Sequence, residues 1–169
     1  MKHTLSVLLE NKPGALIRVA SMFARRGFNI DSLAVGPTER HDVSRITLRV
    51  DCANSSLEQI EKQMHKLVNV LRVVELAPGE SVERELALIT VSAPPDKRAE
   101  LISLGEVFSA RVADIGTDAL TFEIVGRPEE LDAFEELVRP HGVRELARTG
   151  RIGLRRPGPR RTRQAAPVS

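Results

Sequence analysis

Tryptophan and tyrosine are absent from this 169-residue chain, and phenylalanine occurs only five times. Aliphatic side chains must therefore fill the interior. Cys52 is the single cysteine, which excludes an intramolecular disulfide and a thiolate metal cluster. Residues 2–9 contain no long apolar run, and nothing approaches the length of a membrane span. The expected location is the cytoplasm. Acid is missing from the end of the chain. Residues 151–169 hold six arginines (151, 155, 156, 160, 161 and 163) and no carboxylate side chain. Removing those six from the 25 basic residues leaves 19 against 23 acidic, so residues 1–150 carry a net −4. The basic balance belongs to the end of the chain. Rich in Pro and Arg and poor in apolar residues, residues 157–169 are expected to form a disordered tail.

What is present is a regular change of hydrophobic period. Residues 3–9 alternate as a strand, 13–26 follow a helical stripe (Leu16, Val19, Ala20, Phe23), and 28–36 and 44–51 return to strands. A helix is expected over 55–68, with Leu57, Ile60, Met64, Leu67 and Val68 on one face. Ser55 and Glu58 have the spacing of a capping box. Residues 70–76 give a last strand. The order βαββαβ predicts a four-stranded antiparallel sheet with two helices on one face. Pro78-Gly79-Glu80-Ser81 breaks the pattern, and the same order then recurs. Its strands are 86–91, 112–115, 120–125 and 143–147, and its helices carry Leu101, Leu104 and Phe108, then Leu131, Phe134 and Val138. Pro140-His141-Gly142 is expected to end the last helix. The fold class is thus α+β, with two tandem ferredoxin-like domains. Residues 1–77 form the first, 78–83 a linker, 84–156 the second and 157–169 the tail.

Catalytic equipment is lacking. His3, His41, His65 and His141 have no metal-ligand spacing, and no dinucleotide fingerprint, phosphate loop or zinc-protease motif occurs. The carboxylate pairs Glu129-Glu130 and Glu135-Glu136 fall on the exposed side of a helix. No base adjoins Cys52 in sequence, which argues against a reactive thiol. RNA-recognition modules share the βαββαβ order but stack bases on aromatic strand residues. Residues 4–9 and 45–50 carry no ring, so base stacking has no platform.

The turn Asn11-Lys12-Pro13-Gly14 joins a strand to a helix whose first N–H groups lack partners within the helix. With the positive end of the helix dipole, such a start suits a small anion such as a carboxylate. Asn11 has the chemistry of an N-cap, Pro13 suits the first helical position, and Gly14 permits close approach to the backbone. The second strand lies at the sheet edge and Ser32-Leu33-Ala34-Val35 has no charge to block it. Pairing with the same strand of a second copy would form a twofold homodimer. Asn29 and Ile30 of one chain would then approach the Asn11–Gly14 turn of the other. Backbone N–H groups of Gly14 and Ala15 are expected to face a ligand carboxylate, with the Asn11 and Asn29 amides holding the carboxylate and ammonium. An uncharged pocket of this kind suits an amino-acid zwitterion. Burying the isopropyl group of valine would contribute roughly 1.5–3 kcal/mol.

The stretches Leu5–Val19 and Phe23–Val35 resemble the ACT domain of the acetolactate (acetohydroxyacid) synthase small subunit. Leu57–Val73, Glu83–Ile89 and Glu145–Gly150 are similar to the same family, and the resemblance covers residues 3–156. It implies a regulatory subunit without catalytic residues of its own. Such a subunit binds and activates a large catalytic subunit that condenses two pyruvates, or pyruvate with 2-oxobutyrate, and confers feedback inhibition by valine or other branched-chain amino acids. Thiamine diphosphate, magnesium and FAD are expected in that large subunit, with no cofactor or metal in this chain. The family's effector residues fall on Asn11, Gly14, Ala15, Asn29 and Ile30. A different class, a stand-alone amino-acid-sensing ACT regulator whose basic tail contacts nucleic acid, remains as the alternative.

Overall fold

The computed structural model describes residues 1–158, apart from the side chains of Asn54 and Ser55. The expected disordered tail therefore lies outside the described residues except for Pro157 and Gly158, which are exposed.

Two six-element units, each of four strands and two helices, repeat along the chain. The first contains β1 (Lys2–Glu10), α1 (Ala15–Arg25), β2 (Ile30–Pro37), β3 (Val43–Asp51), α2 (Asn54–His65) and β4 (Val70–Glu75). Its strands lie in the order β2-β3-β1-β4, and each neighbouring pair is antiparallel. Strand alternation sends Leu5, Val7 and Leu9 of β1 and Ile46, Leu48 and Val50 of β3 to one face. There they pack against Val19, Met22 and Phe23 of α1 and Leu57, Ile60 and Met64 of α2. β2 occupies an edge, as its order in the chain predicts.

The second layer contains β5 (Ser81–Ser92), α3 (Arg98–Val107), β6 (Arg111–Ile115), β7 (Ala119–Gly126), α4 (Pro128–Gly142) and β8 (Val143–Arg148). The order β6-β7-β5-β8 repeats the first topology. Its core joins Ile89 and Val91 to Phe122, Leu131 and Phe134, with the Phe122 and Phe134 rings edge to face at 5.4 Å.

Several boundaries differ from the sequence pattern for identifiable reasons. α1 starts at Ala15 because Gly14, at φ 83°, adopts a left-handed conformation at the N-cap; Pro13 therefore lies in the preceding turn. Asn11 does not cap the helix; its amide donates to the His41 carbonyl at 3.4 Å. α2 ends at His65, so Val68 leaves the apolar stripe and is exposed, while Leu67 still packs on the core. α2 begins at Asn54 with Ala53 at its N-cap, which places Ser55 inside the helix instead of at a capping box. Capping of that kind occurs on α4, where the Glu130 carboxylate accepts the Arg127 N–H at 2.8 Å. Pro140 lies inside α4, in its last turn, and the helix ends only at Gly142.

The expected linker 78–83 is shorter, because β5 begins at Ser81. Its first residues pair with β9 (Ile152–Arg155), a strand the periodicity did not reveal. β8 and β9 run one after the other along β5, interrupted at Thr149–Arg151 where Gly150 has φ 78°. Three of the six late arginines thus belong to folded structure. Arg151 pairs with Glu83 at 2.8 Å, Arg155 lies in β9, and Arg156 donates to the Gly79 carbonyl at 3.1 Å.

Candidate functional site

The register of the first sheet decides where the expected effector residues lie. Lys2 of β1 faces Asp51 and Glu10 faces Val43. Asn11–Ala15 therefore sit beyond the Glu10 end. Ile30 of β2 faces Val50, and Asp31 forms an ion pair with Lys2 at 2.9 Å, so Asn29 and Ile30 sit at the opposite end. Eight residue steps separate Lys2 from Glu10; at about 3.4 Å per residue the two groups are roughly 27 Å apart. Within one chain the structure does not bring them together.

At the Glu10 end, the turn is held by the Asn11 N–H donating to Asp42 O and the Ala15 N–H donating to Lys12 O, at 2.9 and 3.2 Å. The Ala15 N–H, expected with that of Gly14 to face a ligand carboxylate, is engaged by the Lys12 carbonyl in this structure. Leu16 and Ile17, the next two residues of the first helical turn, find no backbone acceptor among the described residues. One ion pair and an amide network hold the side chains around the turn. Lys12 pairs with Glu10 at 2.8 Å, Asn69 donates to the same Glu10 carboxylate, and the Arg18 guanidinium donates to Asn69 Oδ1 at 2.7 Å. The Lys12 and Asn69 hydrogen bonds hold the Glu10 carboxyl below its ordinary range. What faces solvent is a turn of amides and backbone donors with the Arg18 guanidinium beside it. Sequence reasoning missed Asn69 and Arg18, because they come from separate elements and only the fold joins them.

At the other end, the exposed Asn29 amide donates to Asp31 at 3.2 Å. Ile30 is half-buried and packs on the core beside Phe28. Between the two ends run the free edge of β2 and one side of α1, both apolar and unpartnered. Leu33 and Val35 of β2 are exposed, as are Leu16 and Ile17 of α1, the last at 69%. Ala20 is exposed as well, so the expected core stripe of α1 is narrower: Val19, Met22 and Phe23 face inward.

Elsewhere the structure shows little equipment for chemistry. Among the described residues no three His, Cys, Asp or Glu side chains are grouped to hold a metal ion. His65 is exposed, and burial pushes the half-buried Cys52 thiol up from its ordinary pKa. No helix among the described residues is long and apolar enough to cross a membrane.

A βαββαβ sheet with an open second strand and a glycine turn before its first helix defines the class: a ferredoxin-like fold of the ACT type, joined to a second unit of the same topology. Residues 5–72 match the family model of the AHAS small subunit-like ACT domain, and residues 84–157 match that of the small subunit of acetolactate synthase. The chain is 51% identical over 158 residues to the acetolactate synthase small subunit of Mycolicibacterium smegmatis, covering 94% of this chain and 92% of that one. It is 49% identical over 154 residues to a probable acetolactate synthase small subunit of Archaeoglobus fulgidus, covering 91% and 96%. The crystal structure of the small subunit from Thermotoga maritima superposes with a TM-score of 0.86 at 40% identity, over 94% of this chain and 99% of that one. The chain belongs to the acetolactate synthase small-subunit family. It is a regulatory ACT-domain protein and not the catalytic chain.

Proposed function

We propose that this chain pairs with an acetolactate synthase large subunit, raises its activity and makes it sensitive to a branched-chain amino acid, most strongly valine. The observation that carries the reading is the split placement of the effector residues. Asn11, Gly14 and Ala15 lie at one end of the first sheet, Asn29 and Ile30 lie at the other, and an open edge strand runs between them. A twofold axis through the middle of β2 would pair that strand antiparallel with its copy. The Ile30 end of one protomer would then meet the Pro37 end of the other, where the Asn11–Ala15 turn lies. Two equivalent sites would form per homodimer. Leu16, Ile17, Leu33 and Val35, exposed in one chain, would be covered.

In such a site the ligand carboxylate would lie against the first turn of α1, sharing the Ala15 N–H and taking the free donors that follow it. The two carboxamides would serve both ends of the zwitterion, and Ile30 with the helix face would enclose its side chain. Selection of valine over leucine or isoleucine would rest on one methylene, about 1–3 kcal/mol, so inhibition by the three should be graded. Thiamine diphosphate, magnesium and FAD would belong to the large partner, which performs the condensation in the cytoplasm. The alternative of a nucleic-acid-contacting tail has less to draw on, since Arg151 and Arg156 are already bonded within the fold.

The test is reconstitution. Adding this chain to its large subunit is expected to raise acetolactate formation and to make it valine-sensitive. Asn29→His is expected to preserve the activation and weaken the inhibition. An unchanged rate on complex formation rejects the reading, and equal loss of both effects in the variant rejects a separate effector pocket.

A further inference from the structure

A cavity lies where the two sheets meet, lined on one side by Asp31, Ser32 and Leu33 of β2 together with Lys2 and Arg49. It encloses about 480 Å³ between the open face of the first sheet and the β5, β8 and α4 side of the second. That volume is within the range of small-molecule sites. The two units touch there through a close approach of backbone: a Cβ on Gly150 would stand 3.4 Å from the Leu33 carbonyl oxygen and 3.5 Å from Ser32 Cβ.

The ion pairs around the cavity leave one guanidinium without a direct partner. Four cationic side chains, Lys2, Arg49, Arg148 and Arg151, face three anionic ones, Asp31, Glu85 and Asp132. Lys2 satisfies Asp31 at 2.9 Å, and Arg148 satisfies both Glu85 and Asp132. Arg151 is held by Glu83 at 2.8 Å. Arg49 remains, and no ion pair or hydrogen bond engages its guanidinium among the described residues. Beside it the Ser32 hydroxyl oxygen is buried with no hydrogen-bond partner. The opposite wall adds backbone donors. Gly150 is buried in the break between β8 and β9, and neither its N–H nor that of Arg151 finds an acceptor among the described residues. A buried donor without an acceptor is unfavourable, so an anion that accepts from it is favoured.

We propose that this inter-sheet cavity binds the oxyanion group of a small metabolite, a phosphate or a carboxylate, between Arg49 and Ser32 of the first unit and the Gly150–Arg151 backbone of the second. Every carboxylate in the wall is already ion-paired, Glu85 and Asp132 through the one Arg148, so the incoming anion meets a guanidinium without a direct partner and a set of unfilled donors. The ligand would touch both units and so would bias how they are held against each other. None of Asn11, Gly14, Ala15, Asn29 and Ile30 lines this cavity, so the proposal stands whether or not valine binds at the effector site.

The test is calorimetric titration of the full chain with inorganic phosphate and, separately, with acetate, at constant ionic strength maintained by chloride. Saturable binding of one ion per chain is expected, weakened about ten-fold or more by Arg49→Gln, since a charge-assisted hydrogen bond is lost. Ser32→Ala is expected to weaken it several-fold, with thermal unfolding confirming that each variant is folded. Valine binding should be the same in Arg49→Gln and the unaltered chain, which separates this site from the effector site. Saturation by phosphate alone identifies a phosphorylated ligand, and by acetate alone a carboxylated one. No saturable heat from either ion overturns the proposal, as does equal affinity in the unaltered chain and both variants.

Discussion

Arg148 grips Glu85 through two parallel hydrogen bonds, Nε to Oε1 at 3.0 Å and Nη2 to Oε2 at 2.9 Å. The same guanidinium reaches Asp132 of α4, so one side chain ties the end of β8 to β5 and to the helix that covers them. These partners raise the Arg148 pKa further above its ordinary value, the Glu85 hydrogen bond most of all. Glu85 is buried, so removing Arg148 strands a charge out of water. Arg148→Met is expected to lower stability by about 2–4 kcal/mol in chemical denaturation. Adding Glu85→Gln to Arg148→Met should recover part of the loss, because the stranded charge is gone. A double variant no better than the single one would show that packing, and not charge, holds this corner.

Gly105 shows packing overruling helix propensity. Alanine is favoured over glycine inside a helix by about 1 kcal/mol. A Cβ at Gly105 would, however, stand 2.7 Å from Cε1 of the buried Phe122 ring. That ring is wedged edge to face against Phe134 and cannot swing away. Gly105→Ala is therefore expected to destabilise by about 1–2 kcal/mol net, measured by the midpoint of denaturant unfolding. A gain in stability would mean the ring relocates freely.

Ile17 is 69% exposed, and Leu16 beside it on α1 is exposed as well. If α1 and β2 form a twofold seam, Ile17→Asp places a charge in it. Sedimentation should show a monomer with unchanged far-ultraviolet circular dichroism, and valine binding should vanish with the dimer. A stable dimer in this variant would remove the seam from α1.

Stability should fall in acid. Glu10, Asp42, Asp51, Asp118 and Glu130 are all held below their ordinary pKa, each chiefly by a hydrogen bond: from Lys12, Arg40, the N-terminal amine, Arg144 and the Arg127 backbone respectively. A carboxyl whose folded pKa is depressed stabilises the fold above its unfolded pKa, near 4, and loses that contribution as pH falls through the folded value. The melting temperature should therefore be flat between pH 7 and 5 and decline below about 4. These groups are solvent-exposed, so 0.5 M salt should flatten the decline.

Cys52 should be a slow thiol. Burial raises its pKa, and the nearby carboxylates of Asp51 and Glu75 add to that, opposed by the N-terminal amine. At pH 7.5 its alkylation by iodoacetamide is expected to be several-fold slower than that of a free thiol such as glutathione. Equal rates would show that the site opens readily.

The βαββαβ repeat, the edge position of β2 and the glycine turn before α1 were legible along the chain. Hydrophobic period and turn chemistry are local, and the antiparallel sheet follows from their order. β9 escaped because Ile152-Gly153-Leu154-Arg155 is short and basic. It becomes a strand only because β5 extends past its own sheet to meet it. The position of Leu16 escaped for a related reason. Periodicity reports which residues are apolar, and it does not say whether the surface that covers them is in the same chain.

Asn11, Gly14, Ala15, Asn29 and Ile30 were reached from the order of the elements, the turn chemistry and the family resemblance, and the lack of rings, thiols and metal-ligand spacing was legible in the sequence. The separation of those five residues across the full length of a sheet, the Asn69–Glu10–Lys12 network that holds one end, and the Arg49 guanidinium, without an ion-pair partner among the described residues, were decided by tertiary structure. The reason is physical: local sequence sets backbone preference and hydrophobic period over a few residues. Which charges meet, and which are left without a partner, depends on register and on the docking of one layer against the next.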